Sequence, residues 1–325
     1  MRVSLEQAIA ELKSGGVVAI PTETVYGLAA DATNDSALKK IFEIKQRPAD
    51  HPLIVHIGDM NQVSNWATTF PEVAVNLAKA FWPGPLTLVL PAQPHVSRVV
   101  RGDEATVALR VPNHPVALAL LTHGGLSVAA PSANLFTQLS PTTAAHVEAG
   151  LGESIPVLDG GACNVGIEST IVSVSANGQW QLLRPGMISE DDIAEVATAH
   201  HQVSSAVSAD AQQALPKVPG QHALHYSPRT PLLLFKDRQA LIQEGEALQA
   251  AGLSCAAMLI GDSNDSELNC QSITLPNSPD KAAELLYSSL HHLDAMKVDR
   301  LLVELPPALP AWLAVLDRLS RAGYR

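Results

Sequence analysis

Residues 17–57 bring hydroxyl, carboxyl, imidazole and cationic side chains together within one short stretch of sequence. A β-branched run stops at Pro21, which cannot donate to a sheet ladder, so the polar residues that follow should lie at the end of a strand. Strand ends are common positions for binding groups in α/β proteins. The polar positions of the stretch include Thr22, Glu23, Thr24, Lys45, Arg47, His51 and His56. This combination indicates a site for an anionic ligand.

Lys45 and Arg47 also admit a purely structural interpretation. A helix capped by Asp35 or Ser36 should end before Pro48, with its cations directed largely to solvent. Cations at a helix C-terminus complement the helix dipole, so the helix alone favours an ordinary solvated end. The polar strand end before the helix and the histidines after it favour the anion site instead.

Arg110 lies in a predicted strand over residues 106–111, on the same face as Thr106. An arginine flanked by apolar residues is either an edge residue or a partner for an anion, and the spacing alone favours neither.

A second group of small polar residues follows the strand predicted to end at Pro131. Ser132 and Asn134 allow close approach of the backbone, and Ser140 precedes a helix start, where amides and hydroxyls can bind a phosphate. Ordinary helix capping by Ser140 is the alternative. Ser169, at the start of a later strand, and Arg184, at the end of another, are each typical of routine loops when taken alone.

The elements that must position these residues alternate irregularly over residues 1–190. Predicted strands lie at 17–20, 53–57, 86–90, 106–111, 126–130, 156–158, 170–174 and 180–183. Predicted helices lie near 4–14, 36–46, 72–81, 114–122 and 142–149. Eight strands with fewer helices indicate a mixed, twisted sheet with flanking helices.

The remainder of the chain divides in two. Residues 191–229 are rich in Ala, Ser and Gln and then in Pro and His, which is typical of a linker. Residues 230–325 return to regular β/α alternation and predict a small Rossmann-like α/β domain, although no GxGxxG motif supports a dinucleotide.

Composition narrows the function classes. The 325 residues carry a net charge of −11, which argues against a broad nucleic-acid-binding surface but not against a small basic pocket. The three scattered cysteines imply no metal site. The sequence shows no signal peptide and no apolar run of the ~20 residues needed to span a membrane, so we expect a cytoplasmic protein.

The motifs, taken in order, resemble a known family. They read PTETVYGL, KQRP, HPLIVHI, WPGPLTLVL, LRVP, APSAN, SPTT, GIESTIV and LRPG. This series is similar to the threonylcarbamoyl-AMP synthase (YrdC-like) family, and the PGQHALHYSP segment with the last domain is similar to its longer, two-domain form. The resemblance covers nearly the whole chain.

The resemblance implies a reaction. L-Threonine, bicarbonate and ATP, with Mg²⁺ accompanying the ATP, would give threonylcarbamoyl-AMP and pyrophosphate. A separate transferase complex would then modify an adenosine beside the anticodon of tRNA, so direct tRNA contact should be weak or indirect. Two alternatives are a non-catalytic RNA-binding module and a carbamoyl transferase, and the −11 charge and the few cysteines count against them.

The resemblance also implies residue roles. The threonine-binding positions would be Thr24, His56, Arg110, Ser169 and the backbone at Ala130. The ATP-binding positions would be Lys45, Arg47, His51, Thr106, Ser132, Asn134, Ser140 and Arg184, with Tyr226 as a lid. Lys45 and Arg47 would act in catalysis by charge neutralisation, since carbamate attack on the α-phosphorus needs no protein nucleophile.

Overall fold

Two β-sheets, each covered by its own helices, organise the chain. The computed structural model describes residues 1–198, 216–220, 225–261 and 268–323. The first sheet has eight strands, β1 Val18–Ile20, β2 Gly27–Asp31, β3 Ile54–His56, β4 Leu86–Pro91, β5 Thr106–Arg110, β6 Val128–Ala129, β7 Thr170–Val174 and β8 Trp180–Arg184. Its helices are α1 Leu5–Lys13, α2 Asp35–Lys45, α3 Glu72–Phe81, α4 Arg98–Arg101, α5 Pro115–Gly124, α6 Ala144–Leu151 and α7 Glu190–Thr198.

The strand order of the first sheet is β1-β2-β6-β3-β5-β4-β7-β8. The pairs β3–β5 and β4–β7 are parallel and the other pairs are antiparallel, which confirms the predicted mixed sheet with flanking helices. The parallel pairing brings strand ends together, because His56 is the register partner of Arg110.

Helix α2 shows how local sequence sets the element that carries the cations. Asn34, rather than the predicted Asp35 or Ser36, is the N-cap of this helix. Its side chain accepts hydrogen bonds from the backbone amides of Ser36 and Ala37. Leu38 and Ile41 are buried on the core face of the helix. The helix ends at Gln46, whose left-handed φ of 52° turns the chain toward Arg47.

The second sheet is parallel throughout, in the order β11-β10-β12-β9. Its strands are β9 Leu232–Phe235, β10 Cys255–Ile260, β11 Gln271–Leu275 and β12 Arg300–Glu304, and its helices are α8 Arg238–Ala250, α9 Pro279–Ala295 and α10 Leu313–Ala322. Parallel strands alternating with helices confirm the predicted small Rossmann-like domain.

Several elements differ from the sequence-based prediction. Strands β2 and β11 were not predicted, and the strand predicted at 156–158 forms only isolated bridges, from Val157 to Arg2 and to Ala19. The predicted linker begins with helix α7, because Ile193 and Ala197 fall on one face and join the first core. Since residues 199–215 and 221–224 lie outside the described structure, the division at 190 and 229 stays a prediction.

The two units share apolar contacts. Val25, Leu139 and Ile167 of the first unit pack into the core cluster formed mainly by β9–β12, α9 and α10. Across the ranges that the structure describes, no helix is long and apolar enough to cross a membrane.

Candidate active site

A cavity opens where β3, β5 and β8 end and β7 begins, and residues Pro219, Gly220, His225 and Tyr226 form part of its wall. The space free of protein atoms within it, open solvent included, is about 560 Å³. The sequence-predicted residues that line it are Thr24, Arg47, His56, Arg110, Ala130, Ser132, Ser169, Arg184 and Tyr226. The structure therefore gathers most of the predicted site from strands far apart in sequence.

Arg110 is held as a buried fork at one end of the cavity. Its Nη1 donates to Thr24 Oγ1 at 2.9 Å and its Nε donates to Gly84 O at 3.2 Å. Its Nη2 lies 2.6 Å from Glu23 Oε1, but the two groups are not aligned as a hydrogen bond. A planar guanidinium fixed in this way is suited to bind a carboxylate.

His56 stands beside Arg110 as a neutral imidazole. Burial, with the nearby Arg110 charge, lowers the pKa of His56 to about 3. No described residue forms a hydrogen bond with its Nδ1. A buried polar atom without a partner is costly, so this nitrogen is available to a bound ligand.

Lys45 and Arg47 are buried, contrary to the expectation that they face solvent. Lys45 Nζ donates to the carbonyl oxygens of Ser132 and Asn134, which fold over the end of α2. Burial and the Arg47 charge lower the pKa of Lys45 well below its ordinary value. Burial lowers the pKa of Arg47 to about 10, so that guanidinium stays charged at neutral pH. Arg47 Nη2 donates to Pro52 O, whereas its Nε has no hydrogen-bond partner among the described residues.

Arg184 closes the opposite wall from β8. Its Nε and Nη2 donate to Ser169 O at 3.0 and 2.9 Å, and its Nη1 donates to Pro219 O at 3.0 Å. Ser169 Oγ is also 2.8 Å from Thr87 Oγ1. These bonds join β7, β8 and residues 216–220 around one guanidinium.

Tyr226, predicted as a lid, is a buried wall residue in this structure. Its ring lies against His225, with ring centroids 4.0 Å apart, and its hydroxyl has no hydrogen-bond partner among the described residues. Its φ of 61° is the left-handed region, which is uncommon for a bulky residue.

Five predicted residues do not line the cavity. Lys45 and Asn134 lie directly behind its wall, joined by their mutual hydrogen bond, and Ser140 Oγ donates to Glu168 Oε1 at 2.6 Å. His51 lies edge-on to the Phe136 ring, with ring centroids 5.5 Å apart. Thr106 is at the other end of β5 from Arg110, so its predicted ATP contact has no support from position.

Glu168 and Glu23 are the acidic residues that sequence reasoning did not select. Glu168 lines the cavity, and Glu23 lies beside the Arg110 fork. Both occur within the motifs that carry the resemblance, PTETVYGL and GIESTIV, which was the available signal. Glu23 was named only among the polar residues at a strand end, and Glu168 was assigned no role.

The arrangement has two chemically distinct ends. Arg110 with neutral His56 can bind a carboxylate and a neighbouring polar group. Lys45, Arg47 and Arg184 concentrate positive charge at low dielectric, where they are suited to bind phosphates. The described residues therefore offer a carboxylate-binding fork at one end and buried cations at the other.

Two family models match the chain. A Sua5/YciO/YrdC family model, described as Telomere recombination, matches residues 10–186. A second model, described as Threonylcarbamoyl-AMP synthase, C-terminal domain, matches residues 188–323.

Full-length relatives and a solved structure extend the match. The threonylcarbamoyl-AMP synthase of Bacillus subtilis is 41% identical over 98% of this chain and 92% of its own, and that of Pyrococcus abyssi is 37% identical over 97% and 92%. The crystal structure of P. abyssi Sua5 complexed with L-threonine superposes with a TM-score of 0.86 at 35% identity, covering 99% of this chain and 96% of that one. The chain therefore belongs to the threonylcarbamoyl-AMP synthase (Sua5/YciO/YrdC) family, in its two-domain form.

Proposed function

We propose that this protein is a nucleotidyltransferase that converts L-threonine, bicarbonate and ATP into threonylcarbamoyl-AMP and pyrophosphate. The observation that carries the proposal is one cavity that is lined by the buried Arg110 fork at one end and by Arg47 and Arg184 at the other, with Lys45 behind its wall. The L-threonine complex of the P. abyssi relative supports threonine as the amino acid.

The chemistry proceeds in two steps. The threonine amine takes up bicarbonate, losing water, to form a carbamate. A carbamate oxygen then attacks the α-phosphorus of ATP, and the bond to the β-phosphate oxygen breaks to release pyrophosphate. The protein supplies orientation and charge neutralisation rather than a nucleophile.

Each end of the cavity has its own part in these steps. Arg110 binds the threonine carboxylate, while Thr24, Ser169 and neutral His56 orient the rest of the amino acid. Arg47, Arg184 and Lys45 stabilise the charge that develops on the phosphates as pyrophosphate leaves. Ser132 lies between the two ends, on the loop whose carbonyls hold Lys45.

Mg²⁺ would enter as the metal complex of ATP. Within the described ranges, no cluster of three or more His, Cys, Asp or Glu residues could hold a metal ion. Glu23 and Glu168 are each paired with an arginine. The protein's own donors therefore do not form a metal cage, and phosphates and water would hold the ion.

The product would pass to a separate tRNA threonylcarbamoyl transferase complex, which modifies an adenosine next to the anticodon. We propose a cytoplasmic location, where ATP and tRNA are both available. The net charge of −11 supports weak or indirect tRNA contact. Tight, salt-dependent tRNA binding by the isolated protein would contradict that part of the proposal.

A direct assay tests the reaction. The protein is incubated with ATP, Mg²⁺, labelled bicarbonate and L-threonine, and the labelled adenylate and pyrophosphate are quantified. Omitting threonine should abolish both products. ATP cleavage that does not depend on threonine would contradict the proposal.

Variants at the C-terminal end of α2 and just beyond it test the phosphate end. Lys45→Ala and Arg47→Ala should each lower the rate of adenylate formation by about tenfold or more, because each removes a charge that stabilises the transition state. Lys39→Ala, an exposed cation on the same helix, is the matched control. Unchanged rates in both buried-site variants would remove the phosphate role.

A further inference from the structure

Glu168 is the one carboxylate among the described residues that line the cavity. It is only 7% exposed and lies at the start of β7, next to Ser169. A buried negative charge in a phosphate-binding cavity opposes the ligand unless another group compensates it. The partners of Glu168 therefore bear directly on how the nucleotide site works.

Two of those partners come from the second unit. Arg318 of α10 donates through Nε to Glu168 Oε2 at 2.8 Å, and Tyr287 of α9 donates to the same oxygen at 3.0 Å. From the first unit, Ser140 Oγ donates to Oε1 at 2.6 Å. The Glu168 carboxylate thus accepts three side-chain hydrogen bonds from these residues.

Arg318 also holds the backbone on which the cavity residues stand. Its side chain is completely buried, its Nη2 donates to Glu168 O at 3.2 Å, and its Nη1 donates to Pro185 O at 2.9 Å. Glu168 precedes Ser169, and Pro185 follows Arg184. One guanidinium therefore joins the start of β7 to the end of β8.

The charge balance of the cavity depends on this contact. Glu23 is paired with Arg110, and Glu168 is paired with Arg318, which also pairs with Asp317. The other arginines among the described residues that line the cavity are Arg47 and Arg184. Burial opposes ionisation of Glu168, but Arg318 and then Arg184 outweigh it and lower its pKa to about 2. Arg184 is the other cation that favours the ionised Glu168 carboxylate, and it also lines the cavity.

We propose that Arg318 is a positioning residue that keeps Glu168 from competing with nucleotide phosphates for Arg184. The second unit thereby completes the nucleotide site of the first. This inference rests on the proposed function, because it assigns a role within the same phosphate-binding end.

The test compares Michaelis constants for ATP and for threonine in the full-length protein. Arg318→Gln should raise KM for ATP by about tenfold, equivalent to ~1.4 kcal/mol, and change KM for threonine much less. Glu168→Gln should leave KM for ATP unchanged or lower it, because Arg318 already compensates the charge that this variant removes. The double variant should recover most of the loss caused by Arg318→Gln.

The double variant separates charge balance from simple packing. A purely structural role of Arg318 predicts that Arg318→Gln/Glu168→Gln is at least as impaired as Arg318→Gln, because two buried partners are then lost. That result, or a KM for ATP raised by Glu168→Gln alone, would overturn the proposal. Arg300→Gln, whose Nη1 donates only to the adjacent Asp299 carbonyl, is the control for loss of a positive charge in the same unit.

A second probe separates this inference from the proposed reaction. A wild-type protein that forms no threonine-dependent adenylate would contradict the proposed function. Calorimetric binding of inorganic triphosphate to the same four proteins would still test the inference. Weaker binding by Arg318→Gln that the double variant restores would support it, and equal binding by all variants would overturn it.

Discussion

Glu23 and Arg110 form a buried ion pair whose geometry leaves capacity for a ligand. Their side chains are 3% and 4% exposed. The 2.6 Å contact is not aligned as a hydrogen bond, so Arg110 Nη2 retains hydrogens for a substrate carboxylate. Breaking a buried pair by removing one partner is costly, commonly ~3–5 kcal/mol. Glu23 therefore orients the fork as well as balancing its charge.

Arg110 should act mainly in threonine binding. Arg110→Ala is expected to raise KM for threonine by about tenfold or more, because the carboxylate loses its charged partner. Arg110→Lys, which keeps the charge without the planar fork, should be intermediate. Initial rates over a range of each substrate measure both constants. If only the ATP constant moved, the assignment would be wrong.

Lys45 should make nucleotide binding depend on protons. In the ligand-free protein burial and Arg47 lower its pKa, with Glu168 acting in the opposite sense. A bound polyphosphate raises that pKa again, so binding between the two pKa values takes up a proton, and affinity rises as pH falls through that window.

Calorimetry in two buffers of different ionisation enthalpy, repeated over a series of pH values below the ordinary pKa of lysine, measures this proton uptake. Lys45→Met provides the control, because it removes the titrating group while retaining most of the side-chain volume. Equal heats in the two buffers for the unaltered protein would contradict the expectation.

The residue types of the site were predictable, whereas their environment was not. Thr24, His56 and Arg110 are polar residues at strand ends, which is a pattern visible in sequence. Lys45 appeared solvent-directed because helix periodicity describes only α2 itself. The carbonyls that bury its ammonium come from residues 132 and 134, a contact that only the tertiary structure reveals.

At the scale of elements, the cavity depends on how strand ends are joined. Strand β2 was missed because GLAAD has no β-branched or aromatic residue, yet it pairs with both β1 and β6. Strand β11 is an edge strand with mostly partly exposed residues, so it lacks a clear apolar pattern. Strongly apolar strands such as β4 were predicted almost to the residue, because the apolar run in the sequence coincides with the buried residues of the strand.

Gly186 sets the spacing between the turn after β8 and the start of β7. A Cβ at this position would lie 2.4 Å from Thr170 N and 2.6 Å from Thr170 Oγ1. Gly186→Ala should therefore displace Arg184 and raise KM for ATP severalfold, with a loss of ~1–3 kcal/mol in unfolding free energy.

Gly150→Ala is the matched control for that substitution. Gly150 lies in α6, and a Cβ there would have no atom within 4 Å. It should leave KM unchanged and stabilise the helix by ~0.5–1 kcal/mol. Steady-state kinetics and urea unfolding measure KM for ATP and the unfolding free energy of both variants. Equal values for Gly186→Ala and Gly150→Ala would refute a spacing role for Gly186.

At the scale of the whole molecule, the two units meet over the loop that precedes β7. Gly166, with φ of +80°, lies against α9, and a Cβ there would be 2.4 Å from Glu284 O and 2.5 Å from Ala283 O. His291 of α9 also lies 3.1 Å from Ser140 O and stacks on His146 at 4.0 Å between ring centroids. The interface is thus a close fit between backbones as well as side chains.

Gly166→Ala should force the units apart and weaken both folding and nucleotide use. Gly152→Ala has the same kind of strained φ, +90°, but a Cβ there meets nothing within 4 Å. In urea unfolding, Gly166→Ala should lose ~1–3 kcal/mol more unfolding free energy than Gly152→Ala. Because both variants carry backbone strain, this difference measures the cost of the clash at the interface. Equal unfolding free energies for the two variants would contradict the predicted clash between residue 166 and α9.

The strand order of the second sheet has a consequence for biosynthesis. Strand β12 enters between β10 and β9, although it is made after both, so this sheet cannot close until residue 304 has left the ribosome. Helix α10, with Arg318, follows still later. At ~5–20 residues per second the first sheet can form several seconds earlier, with Glu168 still uncompensated. A nascent chain would therefore acquire a competent nucleotide site only when its second sheet has closed.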